Sequence, residues 1–131
     1  MKKTTLINQE ISHVIAGMGH KDMLVIADAG LPIPKEVRRI DLALTKGIPP
    51  FIDTVRAVSS ELKVESLIVA NEMKSKSPKI YEFIMNNFKD IELQSIPHEE
   101  FKVMTRKSIA IIRTGEFTPF ANVILISGVV F

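Results

Sequence analysis

The sequence predicts a three-layer α/β/α domain built on a central, mostly parallel (mixed) sheet of about six strands, and three observations carry that prediction. Short apolar runs rich in Val, Ile and Leu recur at Met23 to Ala27, Ser66 to Ala70 and Ser108 to Arg113, as in strands buried on both faces. Between such runs lie segments whose apolar residues fall at helical spacing. The last strands follow one another closely, which leaves room for one antiparallel member.

In chain order, Asn8 suits the cap of a helix whose Ile11, Val14, Ile15 and Met18 form one stripe, with Glu10 in the first turn where the helix dipole favours an anion. That helix runs to about Gly17, and Gly17-Met18-Gly19-His20 closes it. Met23 to Ala27 reads as a central strand. Asp28-Ala29-Gly30 and Leu31-Pro32-Ile33-Pro34 end it, because neither proline has the N–H that a ladder needs. Val37 to Leu44 alternates apolar and polar, which suits a second strand with Arg38 and Asp41 near its ends.

After the loop Gly47-Ile48-Pro49-Pro50, residues 51–62 put Ile52, Val55, Val58 and Leu62 on one helical face. Ser66 to Ala70 is the third strand, and the stretch through Ser75 and Ser77 reads as a loop leading at Pro78 into a helix with Ile80, Phe83, Ile84 and Asn87 at helical spacing. Ile91 to Ile96 is a strand. Pro97-His98-Glu99-Glu100 then starts a short helix lined by Phe101, Met104 and Thr105, its two glutamates at the positive end. Ser108 to Arg113 is the fifth strand, residues 114–120 form a loop rich in polar groups, and Ala121 to Phe131 is the last strand, broken at Gly128.

The length of 131 residues predicts a single domain over residues 1–131, able to bury roughly two thirds of its unfolded surface. With no Cys, disulfides, thiolate metal sites and a cysteine nucleophile are excluded. Met1-Lys2-Lys3 lacks the apolar core of a signal peptide after it, and Val123 to Phe131 is far shorter than the ~20 residues that span a bilayer, so a soluble cytoplasmic protein without a membrane partner is expected. The 17 basic and 15 acidic side chains are scattered and leave a net charge of only +2, which argues against nucleic acid as a partner. Lys74, Lys76 and Lys79 read as a solvated face.

Of the three histidines, His20 and His98 stand at element junctions from which a side chain can reach a cleft, whereas His13 lies off the apolar stripe of its helix and reads as solvated. A histidine titrates at about pH 6.5 when unperturbed, so it can give or take a proton near neutrality, and a carboxylate partner orients its ring. The ordinary alternative for His20 is a capping or solvated residue. Asp28 follows the carboxyl end of a strand, where open α/β sheets bind ligands; the alternative is an Asx turn before Gly30. His20 precedes that same strand, so only a long loop or a neighbouring subunit would unite the two, and the sequence leaves both routes open. A metal site built from His20, Asp28 and His98 has no support from HxH or HExxH spacing, and GxSxG, P-loop and GxGxxG motifs are absent.

The stretches GMGHKDMLVIADAGLPIP, IDLAL-KGIP-F-DT, HEEFK and IRTGEFTPFANVILISGVVF together resemble the D-ribose pyranase (ribose mutarotase) family, to which fucose mutarotase is related, and the resemblance covers Gly19 to Phe131. It implies an isomerase that interconverts the pyranose and furanose forms of free D-ribose without a cofactor. By that resemblance His20 matches the general acid, while Asp28, His98, Phe120, Ala121 and Asn122 match substrate-binding positions. Lys102 is a further, less specific candidate for a sugar hydroxyl. The family often carries Tyr where Phe120 stands here, so a hydrogen bond from that ring is lost while stacking on a sugar face survives. Ring-shaped homo-oligomers, generally decamers with sites completed across subunit boundaries, are implied as well, as is cytoplasmic work beside a ribose transporter and a ribokinase. Two rivals remain: a non-catalytic sugar-binding or sensor module, which predicts affinity without faster ring exchange, and a fucose mutarotase.

Overall fold

Asn8 starts helix α1 (Gln9–Gly17) by accepting the Ile11 N–H on its side chain at 2.9 Å, which satisfies one of the donors that a helix start leaves free. The computed structural model describes residues 1–131, and the elements that follow are β1 (Met23–Ala27), β2 (Arg38–Asp41), α2 (Phe51–Ser59), β3 (Val64–Ala70), α3 (Glu72–Lys76), α4 (Pro78–Asn87), β4 (Glu92–Ile96), α5 (His98–Met104), a 3₁₀ turn (Thr105–Lys107), β5 (Ala110–Arg113) and β6 (Val123–Ser127). They form a six-stranded sheet in the order β2-β5-β1-β6-β3-β4. All pairings are parallel except those of β6, which runs antiparallel to both β1 and β3. The expected central strand is therefore interior, and the expected antiparallel strand is the last one.

Side-chain alternation sends each strand to two cores. Leu24 and Ile26 of β1, Ala110 and Ile112 of β5, Leu67 and Val69 of β3, and Val123 and Leu125 of β6 pack under α1, α2, α3 and α4 in a cluster of 22 buried residues. Their neighbours Val25, Ala27, Ile111, Ile68 and Ile124 face the opposite way, against Phe101 of α5 and the segment holding Leu31 and Val37, in a cluster of nine. Helices thus cover both faces and make three layers, with the thinner cover beside α5. No helix is long and apolar enough to cross a membrane.

Several details depart from the sequence reading. The second strand is Arg38–Asp41 rather than Val37 to Leu44, because the Asp41 carboxylate accepts the Ala43 N–H at 3.0 Å and turns the chain away from the ladder. The stretch through Ser75 is not a loop but the single turn α3, pinned by fully buried Met73 and closed by Ser77, whose N–H and hydroxyl both donate to the Met73 carbonyl. In α4 the position after Asn87, Phe88, is the buried one, and Asn87 is exposed. The last strand stops at Ser127, and Val129 to Phe131 are exposed.

The loop after β5 is fastened to the loop before α2. The Gly47 N–H donates to the Gly115 carbonyl at 2.6 Å, and the Gly115 N–H donates to the Pro49 carbonyl at 2.9 Å. A Cβ on Gly115 would lie 2.4 Å from the Ile48 carbonyl oxygen and 2.5 Å from that of Thr45, both backbone atoms with no rotamer to yield. Gly115→Ala is therefore expected to destabilise the fold by about 1–3 kcal/mol, as overpacking does. An unchanged urea midpoint for that variant would show that the two loops are not locked together.

Candidate active site

The parallel strands β1, β4 and β5 end on the same edge of the sheet, and the loops leaving them line a cleft of about 480 Å³. Asp28, His98 and Phe120 are on its wall, as are Arg113, Glu116 and Thr118. Asp28 comes directly off β1. Its carboxylate accepts the Gly30 N–H at 2.9 Å through Oδ1, the Asx turn anticipated from sequence, and through Oδ2 it accepts the Asn122 side-chain amide at 2.9 Å. The Asn122 Oδ1 accepts in turn from the Asp28 backbone N–H at 2.8 Å. Turn former and cleft residue are thus one and the same aspartate.

Residues 120–122 differ in how they face the cleft. Asn122 and Ala121 are fully buried, and the carbonyl and amino groups of the Asn122 amide each bond to Asp28, so the amide orients the carboxylate. Phe120 is the member of the trio on the cleft wall. It adopts φ 61°, a left-handed conformation unusual for a bulky residue, and its carbonyl accepts the Asn122 N–H at 2.9 Å. Its ring meets His98 edge to face with centroids 5.0 Å apart.

His98 opens α5, where its backbone N–H donates to the Glu72 carboxylate at 3.1 Å and its ring stacks at 6.3 Å on buried Phe101. The ring nitrogen Nδ1 is buried and has no hydrogen-bond partner within the chain. Such a group is costly unless something polar completes it. Lys102 lies one turn further along, pairs with Glu99 at 2.7 Å, and lines a neighbouring depression with Lys35 and Arg106 rather than the cleft that holds Asp28.

Sequence reasoning passed over Arg113 and Glu116. Arg113 donates from Nε to the Ala29 carbonyl at 3.0 Å and from Nη1 to Asp41 at 3.1 Å, so it ties the turn after Asp28 to β2. Glu116 accepts the Thr118 N–H at 3.0 Å, the Thr118 hydroxyl at 2.8 Å, the Phe117 N–H at 3.1 Å and the Phe51 N–H at 3.2 Å. The last contact serves the start of α2, where Pro50 has no side-chain cap to offer. Partial burial pushes the Glu116 carboxyl up, but the hydrogen bonds from Thr118, Phe51 and Phe117 outweigh it and hold the group below its ordinary range. The density of polar residues in the 114–120 loop was the available signal.

His20 lies elsewhere. It precedes β1 and so occupies the opposite edge of the sheet from Asp28, with a five-residue strand, on the order of 15 Å, between them. Its side chain is 49% exposed and its Nε2 is 2.6 Å from the Glu65 carboxylate. Hydrogen bonds from Lys21 and then from His20 hold the Glu65 carboxyl below its ordinary range. One chain therefore brings together Asp28, His98 and Phe120, with Asn122 behind them, but not His20, and the trio His20, Asp28 and His98 does not converge. His13 is exposed, as expected.

Residues 1–130 match the family described as RbsD / FucU transport protein family. The chain is 57% identical over 131 residues to the D-ribose pyranase of Coprothermobacter proteolyticus and 55% identical over 139 residues to that of Aliivibrio fischeri, covering 100% of both partners in each comparison. Among solved structures it resembles Bacillus subtilis RbsD complexed with D-ribose, with a TM-score of 0.97 and 46% identity over 100% of both chains. The fucose mutarotase of Streptococcus pneumoniae, solved with L-fucose, shares the fold with a TM-score of 0.85 at 22% identity over 100% of both chains.

The depressed acidity of Glu116 links stability to pH. A carboxyl that is more acidic when folded stabilises the protein above its unfolded value, near 4.5, and that contribution disappears as pH falls through the lower folded value. Glu116→Gln is thus expected to melt at a lower temperature than the wild-type protein at pH 7, with the gap closing as the pH drops below about 4.5. A gap of constant size across that range would show that the charge on Glu116 does not contribute.

Proposed function

From the premise that the chain belongs to the RbsD/FucU family, we propose that it is a D-ribose pyranase, an isomerase that interconverts the β-pyranose and β-furanose forms of free D-ribose and so supplies ribose for phosphorylation. The observation that carries the reading is the full-length match, at about half or more identical residues, to curated D-ribose pyranases. The fucose reading rests on structures that share the fold at much lower identity.

The chemistry asks for little more than placed proton donors and acceptors. Protonation of the ring oxygen, with loss of the anomeric hydroxyl proton, opens the sugar to its aldehyde. Attack by the hydroxyl on C4 then closes the furanose, attack by that on C5 closes the pyranose, and the borrowed proton returns. In this reading His20 is the proton donor, alternating between acid and base, a role typically worth ~10²- to 10⁴-fold. Asp28, held by Gly30 and Asn122, accepts a sugar hydroxyl; the free Nδ1 of His98 takes a polar contact; and Phe120 offers its ring face in place of a phenol.

Because His20 and Asp28 stand at opposite edges of one chain, a working site needs His20 from a second copy set against the cleft of the first. A homo-oligomer, a decamer by the family resemblance, with sites at its subunit boundaries meets that need. Exposed apolar side chains at Leu44, Ile48, Phe117, Val130 and Phe131 support the presence of subunit contacts. Its place of work in this reading is the cytoplasm, with free ribose as the small-molecule partner.

Saturation-transfer proton NMR on D-ribose tests the reading. Catalytic amounts of protein are expected to speed pyranose-furanose exchange, and His20→Ala to abolish most of the acceleration. Ribose affinity with unaltered exchange would point to the binding module, and acceleration confined to fucose would point to the other mutarotase. Two variants separately inactive, His20→Ala and Asp28→Ala, are expected to regain part of the activity when co-expressed in mixed oligomers. Absence of any recovery would place the whole site in one chain.

A further inference from the structure

The turn that carries His20 is tied down more firmly than an exposed loop requires. The Gly19 N–H donates to the Asp22 carboxylate at 2.7 Å, the Lys21 N–H donates to the Ser127 carbonyl at 2.9 Å, and the Ser127 hydroxyl donates to the Gly19 carbonyl. Lys21 is held at φ 70°, a left-handed conformation that a residue with a Cβ keeps only when its surroundings enforce it. The backbone on both sides of His20 is therefore fixed to the end of β6.

Glu65 reaches this turn from β3, and the sheet is built to let it. Val64 pairs with Ser127 and Ser66 with Ile126, so the register shifts across Glu65 and leaves that residue in a β-bulge. Bulges re-aim a side chain out of the regular alternation. Beside it stands Gly128, where a Cβ would come within 3.0 Å of the Glu65 Cβ, tighter than packing normally allows. From this position the Glu65 Oε2 lies 2.6 Å from the His20 Nε2, and Oε1 accepts from the Lys21 ammonium.

We propose that Glu65 is a positioning residue for His20: its carboxylate grips the ring at Nε2 and thereby leaves Nδ1 as the nitrogen that exchanges a proton with the sugar. The inference rests on the reading of His20 as proton donor. A carboxylate has only acceptors, so the nitrogen facing it bears the hydrogen, and in the neutral ring the other nitrogen is left bare. When Nδ1 takes up the sugar's proton, the imidazolium that forms lies against a fixed negative charge. When Nδ1 gives the proton back, the neutral ring keeps its hydrogen on Nε2 and is ready for the next cycle. Lys21, on the other oxygen, keeps the carboxylate in place and ionised.

The test compares wild-type protein with Glu65→Ala and the isosteric Glu65→Gln, which preserves the strand should the smaller side chain disturb it. For Glu65→Ala, kcat for ribose exchange is expected to fall about 10- to 100-fold, a share of what general acid–base catalysis supplies, with KM within about twofold because Asp28 and His98 still hold the sugar. Glu65→Gln is expected to lose about tenfold in kcat, since its carbonyl accepts the Nε2 hydrogen without the charge. Ring ¹⁵N shifts of His20, assigned against His20→Ala, are expected to show hydrogen on Nε2 in the wild-type protein and a mixture of tautomers in Glu65→Ala. Wild-type kcat in both variants, a loss confined to KM, or hydrogen on Nδ1 in the wild-type ring would overturn the proposal. An inactive wild-type protein would overturn the functional reading instead, and the nitrogen shifts would still judge the Glu65 grip by themselves.

Discussion

The insertion of β6, antiparallel, between the parallel strands β1 and β3 is the constraint on which the rest of this structure depends. Because it runs against its neighbours, its beginning lies at their carboxyl ends and its end lies at their starts. Asn122, just before the strand, thus reaches Asp28, and Ser127, its last residue, clasps the turn around His20. A parallel strand in that position would have put its start beside the His20 turn and its end beside Asp28, exchanging the two partners. Two groups of candidate site residues at opposite edges of the sheet are organised by one five-residue element.

At the cleft, the polar groups behind the wall are spent on one another. The Asn122 amide is fully buried and bonded to Asp28 through both its oxygen and its nitrogen, and leaving one of its partners unsatisfied would cost about 1–3 kcal/mol. Arg113 and Glu116 likewise tie the turn after β1 and the loop after β5 to β2 and to α2. What this leaves at the wall is a short inventory: an oriented carboxylate, a histidine ring and an aromatic face. Such a set has the chemistry to suit a small polyhydroxylated ligand, with few groups that would need to reorganise on binding.

The opposite edge is built on different terms. His20, Lys21 and Glu65 are substantially exposed, and their interactions gain little stability in water. Their arrangement nevertheless uses a strained lysine, a bulge and a glycine, features that cost stability and together fix the orientation of the histidine. Burial of this edge by a second subunit would strengthen those ion pairs, because the effective dielectric falls as water leaves.

Much of this was legible in the chain. Asn8 as a cap, the buried run of β1, and the Asx turn at Asp28 that follows it are local matters of hydrogen bonding and backbone geometry, so residues near in sequence reveal them. That is why Asp28 could be set at the mouth of a central strand and His20 at its far end. The turn α3 escaped notice because five residues carry too little periodicity to register. The employment of Asn122 as a brace for Asp28 could not be read either, for its partner is 94 residues away, and neither could the bulge that aims Glu65 at His20 from 45 residues off. The sequence by itself determined the elements and the chemistry on offer, since both follow from neighbours along the chain. Only the tertiary structure decided which polar groups are spent and which stay free, because hydrogen bonds saturate, and their partners are assigned by the order and direction of strands in the sheet.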